Sequence, residues 1–245
     1  MQRGEIENVN SAQPNQSVID GFRCLQYIAS SEQPVGGREL ARALGLDPSR
    51  VNRLLLTMAH MGLTQKTAKR KYVTGHGIHV LAAQSIRRSG LFRATAEALE
   101  KLAHPDFTTA LGSLWEGHVV YLYHARAGDS LSQALGGYRI QHPCESVIGL
   151  CLLSQRGDDE IAAMVGDERF GAARAVIEAA RRRGFVIWRL ADGEVRLATT
   201  VAGTDSALAF SRLYGYADEA ALQEKCDLLF EKAREISEQV GNEDR

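Results

Sequence analysis

The sequence predicts an α+β protein in two parts, a small basic one at the N-terminus and a larger one after it. Three observations carry this. The stretch Asp47 to Thr74, DPSRVNRLLLTMAHMGLTQKTAKRKYVT, joins an amphipathic helix to a basic hairpin. From Ser17 to Gly75 nine Lys and Arg stand against four Asp and Glu, although the 245-residue chain carries a formal net charge of −1. From Phe107 onward the apolar pattern takes a period of two, the mark of strands, before helical spacing returns.

Taken in order, residues 1–16 are polar, with Asn, Gln and Glu where a signal peptide needs an apolar core, so a mobile tail is expected. No apolar run approaches the roughly 20 residues that cross a bilayer, which predicts a cytoplasmic protein without membrane partners. A first helix carries an apolar stripe of Val18, Phe22, Leu25 and Ala29, with Ile19 and Ile28 beside it. A second, from about Arg38 to Leu44, is expected to bury Leu40, Ala41 and Leu44, and the Gly45-Leu46-Asp47 turn leads to a third. There Asp47 is a good N-cap and Pro48 sits at the first helical position, where its missing N–H costs nothing. Val51, Leu54, Leu55 and Met58 recur on one face, leaving Ser49, Asn52, Arg53 and Thr57 outward with Arg50 on the flank. Gly62 closes this helix, and Lys66 to Lys71 form a basic hairpin returned by Tyr72 and Val73.

That is the layout of a winged helix-turn-helix over residues 17–75, with the positive charge on its reading helix and wing, and it predicts binding to double-stranded operator DNA. Ser49, Arg50, Asn52 and Thr57 are the candidates for base edges or nearby phosphates. Arg53, Lys69, Arg70 and Lys71 are candidates for phosphate, and Arg38 joins the DNA-binding set. The competing reading is a small helical module with solvated charges, or a winged helix used for protein contacts.

Gly75 and Gly77 release the chain into a helix, Ile78 to Ser89, whose stripe of Ile78, Leu81, Ala82, Ser85 and Ile86 has no evident partner nearby. Residues 76–90 are therefore read as a linker and dimerisation helix. A further amphipathic helix, Leu91 to Ala103, shows Leu91, Ala94, Thr95, Ala98, Leu99 and Leu102 and ends at Pro105, opening a domain over 91–245. Strands are expected over Thr108 to Trp115 and Val119 to Arg126 around a Glu116-Gly117 turn, with another turn at Gly136-Gly137. Helices follow at Cys144 to Leu153, Asp158 to Val165 and Ala172 to Gly184. Strands Phe185 to Arg189, Val195 to Val201 and Ser206 to Ser211 then lead to a terminal helix, Asp218 to Val240, buried through Leu222, Cys226, Leu229, Phe230, Ala233 and Ile236. Such an order gives an α+β sensor-like domain. Cys24, Cys144, Cys151 and Cys226 are scattered without a Cys-x-x-Cys pair, and His76 and His79 have no neighbouring ligands, so neither disulfide nor metal is expected.

With these parts in order, the chain resembles the IclR family of bacterial transcriptional regulators from Ser17 to Val240. Glu39-Leu40-Ala41, Gly45-Leu46, Ser49, Val51, Arg53-Leu54-Leu55, Thr57, Met58 and Gly62-Leu63 fall where that family has its helix-turn-helix pattern. Trp115-Glu116-Gly117, the Pro143 to Gly149 segment, Arg183-Gly184-Phe185 and Leu197-Ala198 look like its GAF-like effector-binding domain. The resemblance implies a homodimer or dimer of dimers, no catalytic activity and no cofactor, and control of a catabolic operon, as a repressor, by a small-molecule effector. The implied effector site comprises Cys144, Ser146, Val147 and Ile148 at a helix start, with Arg196, Ala209 and Ser211 on later strands.

Glu145 departs from the small residues the family has there. An ionised Glu145 would repel small carboxylates unless it points to solvent or Arg189 or Arg196 compensates. An aromatic or polar ring compound is therefore expected, held by Ser146, Trp188, Arg196 and Ser211. Two other functions compete. One is a small-molecule-converting enzyme with an accessory winged helix, for which His142, Cys144 and Glu145 form the only compact reactive-looking cluster and no nucleophile elbow, phosphate loop or zinc helix is found. The other is a winged-helix assembly protein without a ligand.

Overall fold

The computed structural model describes residues 13–88, 107–126, 128–130, 140–216 and 219–243, together with 91, 94, 98, 99, 133 and 134. The chain divides into two compact units between Arg88 and Ser89.

In the first unit, Asn15 caps α1 (Gln16–Ser30) by accepting from Ser17 N and Val18 N at 3.0 and 3.3 Å. The buried line of this helix is Asp20, Cys24 and Ile28, four apart, and not the expected stripe: Val18 and Phe22 are 53% and 59% exposed. Polarity misled the reading, because Asp20 is buried at 1% exposure with an arginine beside it and so turns a nominally polar line inward. Helix α2 (Gly37–Leu44) buries Leu40 and Ala41, while Leu44 is only half-buried, and Gly45 ends it at φ 65°. Helix α3 (Pro48–His60) starts as the sequence suggests, with Arg50 N donating to Asp47 Oδ1 at 3.0 Å. Its Val51, Leu55 and Met58 join Cys24, Ile28, Val35, Leu40 and Tyr72 in one core.

Strands β1 (Thr64–Lys66) and β2 (Tyr72–Thr74) pair antiparallel to form the wing. At Gly75 a Cβ would lie 2.1 Å from Gly62 O, so the wing returns past the end of α3 only with glycine there. Helix α4 (His76–Arg88) follows, and Val80, Leu81 and Ile86 on it are 50%, 55% and 43% exposed.

The second unit is built on six antiparallel strands in the order β5-β4-β3-β8-β7-β6. They are β3 (Thr108–Trp115), β4 (His118–Ala125), β5 (Ile140–Gln141), β6 (Val186–Arg189), β7 (Val195–Val201) and β8 (Ser206–Leu213). Glu116 and Gly117, at φ 46° and 74°, make the two-residue turn between β3 and β4, since two positive φ values match the twist of paired strands. Alternation sends Leu111, Leu197, Leu208 and Phe210 to one face, under α8 (Glu219–Glu243) and its Leu222, Cys226, Leu229 and Ile236. The other face presents Ala110, Ala198, Ala207 and Ala209 to α5 (Val147–Leu153), α6 (Asp158–Val165) and α7 (Asp167–Arg183). Those small residues let α5, buried at every position, lie close to the sheet.

Two helix starts differ most from the sequence reading. The helix expected from Cys144 is interrupted: Pro143–Glu145 is a 3-10 turn, and Ser146, extended at φ −120°, ψ 131°, caps the helix that starts at Val147. Helix α7 begins at Asp167 rather than Ala172, because Asp167 and Glu168 suit the positive end of its dipole and Gly171 is tolerated inside it. Of the helix expected over 91–103, Leu91, Ala94, Ala98 and Leu99 are helical and the last three buried, whereas Thr95, Leu102 and Pro105, like Gly136 and Gly137, lie outside the described residues.

Candidate nucleic-acid interface and ligand pocket

On α3, Ser49, Asn52, Arg53 and Thr57 are exposed. Ser49 Oγ donates to Asp47 Oδ1 at 2.5 Å and Thr57 Oγ1 to Arg53 O at 3.0 Å, so both hydroxyl protons are committed within the helix. Ser49 and Arg50 N also hold the Asp47 carboxyl below the usual carboxylate range, the Ser49 hydrogen bond being the larger cause. No hydrogen bond or ion pair occupies the side chains of Asn52 and Arg53 among the described residues. The wing tip adds Lys69, Arg70 and Lys71, all exposed, and Arg38 is exposed at the start of α2. Arg70 takes the left-handed conformation at φ 60°, its N donating to Thr67 O at 2.9 Å, while Lys66 Nζ lies 5.7 Å from the Tyr72 ring centre. Arg50 is placed differently from its neighbours. Its Nη2 stands 2.8 Å from Oδ2 of buried Asp20, so it is turned into the domain and away from the face of Asn52 and Arg53.

In the second unit a cavity of about 240 Å³ opens on the α5 face of the sheet. Ala110 and Ala209 leave the space, Val147 and Ile148 at the start of α5 cover one side, and Thr108 and Ser211 supply hydroxyls. Among the described residues Arg126, Arg196 and Arg212 surround it with a single carboxylate, Glu194. Arg196 grips that carboxylate in bidentate fashion, Nε to Oε1 and Nη2 to Oε2 both at 2.9 Å, and Arg212 N donates to Oε1 at 2.8 Å. These bonds, the Arg196 one first, hold the Glu194 carboxyl below its ordinary 4.5. Arg212 sits at φ 62° where β8 departs from regular pairing with β7, so this carboxylate also pins a strained backbone. At the other wall Tyr121 OH donates to Gln141 Oε1 at 2.8 Å and lies 2.9 Å from Ser146 Oγ, the cap that accepts from Gly149 N at 3.3 Å. The pocket's hydrogen bonding thus reaches the N-terminus of α5.

Of the expected effector residues, Val147, Ile148, Arg196, Ala209 and Ser211 line the cavity. Ser146 is buried behind Tyr121, Trp188 stacks on Arg196 with the guanidinium 5.5 Å from its ring centre, and Cys144 is half-buried outside the lining. Glu145 is exposed in the 3-10 turn and outside the lining, so the repulsion expected of it does not act on the cavity. Sequence reasoning missed Thr108, Ala110, Tyr121, His124, Arg126, Gln141, Glu194, Arg212 and Tyr214. The alternation of the strand could have given Thr108 and Ala110 together, but nothing local marks the others. As for a reactive cluster, burial pushes the Cys144 thiol up, which disfavours the thiolate a nucleophile needs, and His142 Nδ1 accepts from Cys144 N at 3.3 Å. Among the described residues no three His, Cys, Asp or Glu gather to hold a metal ion, and no helix is long and apolar enough to cross a membrane.

A helix-turn-helix with a basic wing, followed by an antiparallel-sheet domain with a cationic pocket, defines a class: two-domain proteins that join a winged helix-turn-helix to a separate pocket-bearing domain. Within it the relationship is specific, for residues 17–68 match the model of the IclR helix-turn-helix domain. No curated protein sequence matches significantly. Among solved structures, an IclR transcriptional regulator from a Silicibacter species is 19% identical with a TM-score of 0.77, the match covering 92% of this chain and 96% of that one. An IclR-family regulator from Brucella abortus is 16% identical, with a TM-score of 0.71 over 92% and 93% of the two chains. An IclR homologue from Microbacterium hydrocarbonoxydans, complexed with 4-hydroxybenzoate, is 17% identical with a TM-score of 0.63 over 92% and 99%. Residues 17–68 therefore match the IclR helix-turn-helix domain, and the chain shares its fold with these solved structures.

Proposed function

We propose that the chain is a homodimeric, sequence-specific repressor of a catabolic operon whose grip on operator DNA is set by a small anionic ring compound bound in the C-terminal pocket. The unpartnered polar face of α3, with Asn52 and Arg53 beside the cationic wing, carries the DNA half of this reading. Asn52 discriminates bases, and Arg53, Lys69, Arg70, Lys71 and Arg38 hold phosphates. The ligand half rests on charge and size. Arg126, Arg196 and Arg212 outnumber Glu194, which suits an anion, and a cavity of about 240 Å³ lies just below the range of about 300–1,000 Å³ that takes drug-sized molecules. The hydroxyls of Thr108 and Ser211 favour a ligand with a second polar group, and the related Microbacterium protein complexed with 4-hydroxybenzoate supports an aromatic carboxylate. The open cavity disfavours an assembly protein without a ligand.

A mobility shift on the DNA upstream of the gene, repeated with 4-hydroxybenzoate, pyruvate and glyoxylate, tests both halves. Retardation by the chain alone, altered by the ring compound at concentrations where the two small acids do nothing, is expected. Retardation unchanged by any carboxylate, with no binding by calorimetry, would remove the ligand half.

A further inference from the structure

The contact between α1 and the first turn of α3 does more than join two helices. Asp20 is 1% exposed, Gln16 Nε2 donates to its Oδ1 at 2.9 Å, and Arg50 Nη2 approaches Oδ2 to 2.8 Å. Arg50 stands third in α3, in the part of a reading helix whose side chains reach base edges. Its side chain is 33% exposed; it meets Asp20 Oδ2 as an ion pair without hydrogen-bond alignment, and among the described residues neither that oxygen nor the buried Arg50 Nε has a hydrogen-bond partner. Taking the Asp20 carboxylate out of water costs much of what the ion pair gains, so an apolar contact of similar volume would hold the helices comparably. What the ion pair adds is direction, for it points a guanidinium into the domain that would otherwise stand beside the DNA. A free guanidinium there would take any phosphate, or guanine wherever one lay in reach, and so bind tightly while carrying little of the intended sequence.

We infer that Asp20 is a specificity-determining residue: by holding Arg50 against α1 it withholds that side chain from DNA and leaves the reading of bases to Asn52. This rests on the assignment of α3 as the recognition helix. Asp20 touches no DNA itself and acts through Arg50, as a positioning residue.

The test is a salt titration of DNA binding by the full chain, followed by fluorescence anisotropy on upstream DNA and on a scrambled duplex. Wild type, Asp20→Asn and the double variant Asp20→Asn/Arg50→Gln are compared. Freed Arg50 neutralises one more phosphate, so Asp20→Asn should bind scrambled DNA more tightly and lose affinity with salt more steeply. The slope of log K against log salt should grow by about 0.9, an extra loss of about 3.5-fold between 50 and 200 mM salt. The double variant should return to the wild-type slope. Equal slopes for Asp20→Asn and wild type would overturn the inference. So would a double variant shallower than wild type by about 0.9, since Arg50 would then already grip phosphate in the native protein. Should Asp20→Asn fail to fold, the charge-neutral double variant against wild type still decides. A wild type that binds neither DNA would sink the recognition-helix assignment and the inference together, whereas wild-type binding with unmoved slopes sinks the inference alone.

Discussion

Glu194 shows how one side chain sets the character of the pocket. Glu194 as a whole is 5% exposed, and its carboxylate is bonded to Arg196 and to the backbone N of Arg212, so its ionised form is favoured in the fold. The folded carboxyl is held below the ordinary 4.5. Its contribution to stability is therefore complete above that ordinary value and is lost as pH falls through the depressed folded one. Urea denaturation of wild type and Glu194→Gln from neutral to acid pH should show a gap that is constant near neutrality and closes in acid. A gap independent of pH would mean that the charge plays no part. None of this was legible in the sequence, where Glu194 only precedes the strand that holds Arg196, and the left-handed backbone at Arg212 in β8 is what brings its N to the carboxylate. Asp20 was hidden for a similar reason: an acid on an amphipathic helix reads as the outward face, and only Arg50, thirty positions on, reverses that.

Among the elements, those with strong local signals were readable. The cap at Asp47, the strands from Thr108 and Val195 and the Glu116-Gly117 turn lie where period and turn chemistry put them, because paired strands need alternation and positive φ regardless of what packs above. Elements whose face is decided by distant partners were not readable. Helix α1 turns Val18 and Phe22 outward, and Ser146 breaks a run of apolar residues that otherwise reads as one helix. Gly149 explains the break, since a Cβ there would sit 2.2 Å from Pro143 O, a closeness that depends on the 3-10 turn folding back. The wing was legible from charge alone, and its role can be checked at the same scale. Lys69→Ala/Arg70→Ala should weaken binding to upstream and scrambled DNA alike and flatten the salt slope by about 0.9 for each phosphate no longer neutralised. Unchanged affinity and slope would place the wing away from DNA.

At the scale of the whole molecule, one reading head grips a single half-site, and a dimer is needed to read two spaced by turns of the DNA helix. Exposed Leu81 and Ile86 on α4 offer apolar surface for that pairing. Leu81→Glu/Ile86→Glu should sediment as a monomer with weak operator binding, and dimers of wild-type strength by ultracentrifugation would put the interface elsewhere. The central claim, however, is that α3 reads sequence, and the most direct measurement is the ratio of Kd values for scrambled and upstream DNA at one salt concentration, in wild type and Asn52→Ala. A specific regulator favours its site by about 10³ or more, and removal of one good base pairing should lower that ratio by the equivalent of about 1–3 kcal/mol while leaving affinity for scrambled DNA unchanged. Equal Kd values for the two DNAs in wild type, or a ratio that Asn52→Ala leaves untouched, would contradict the claim.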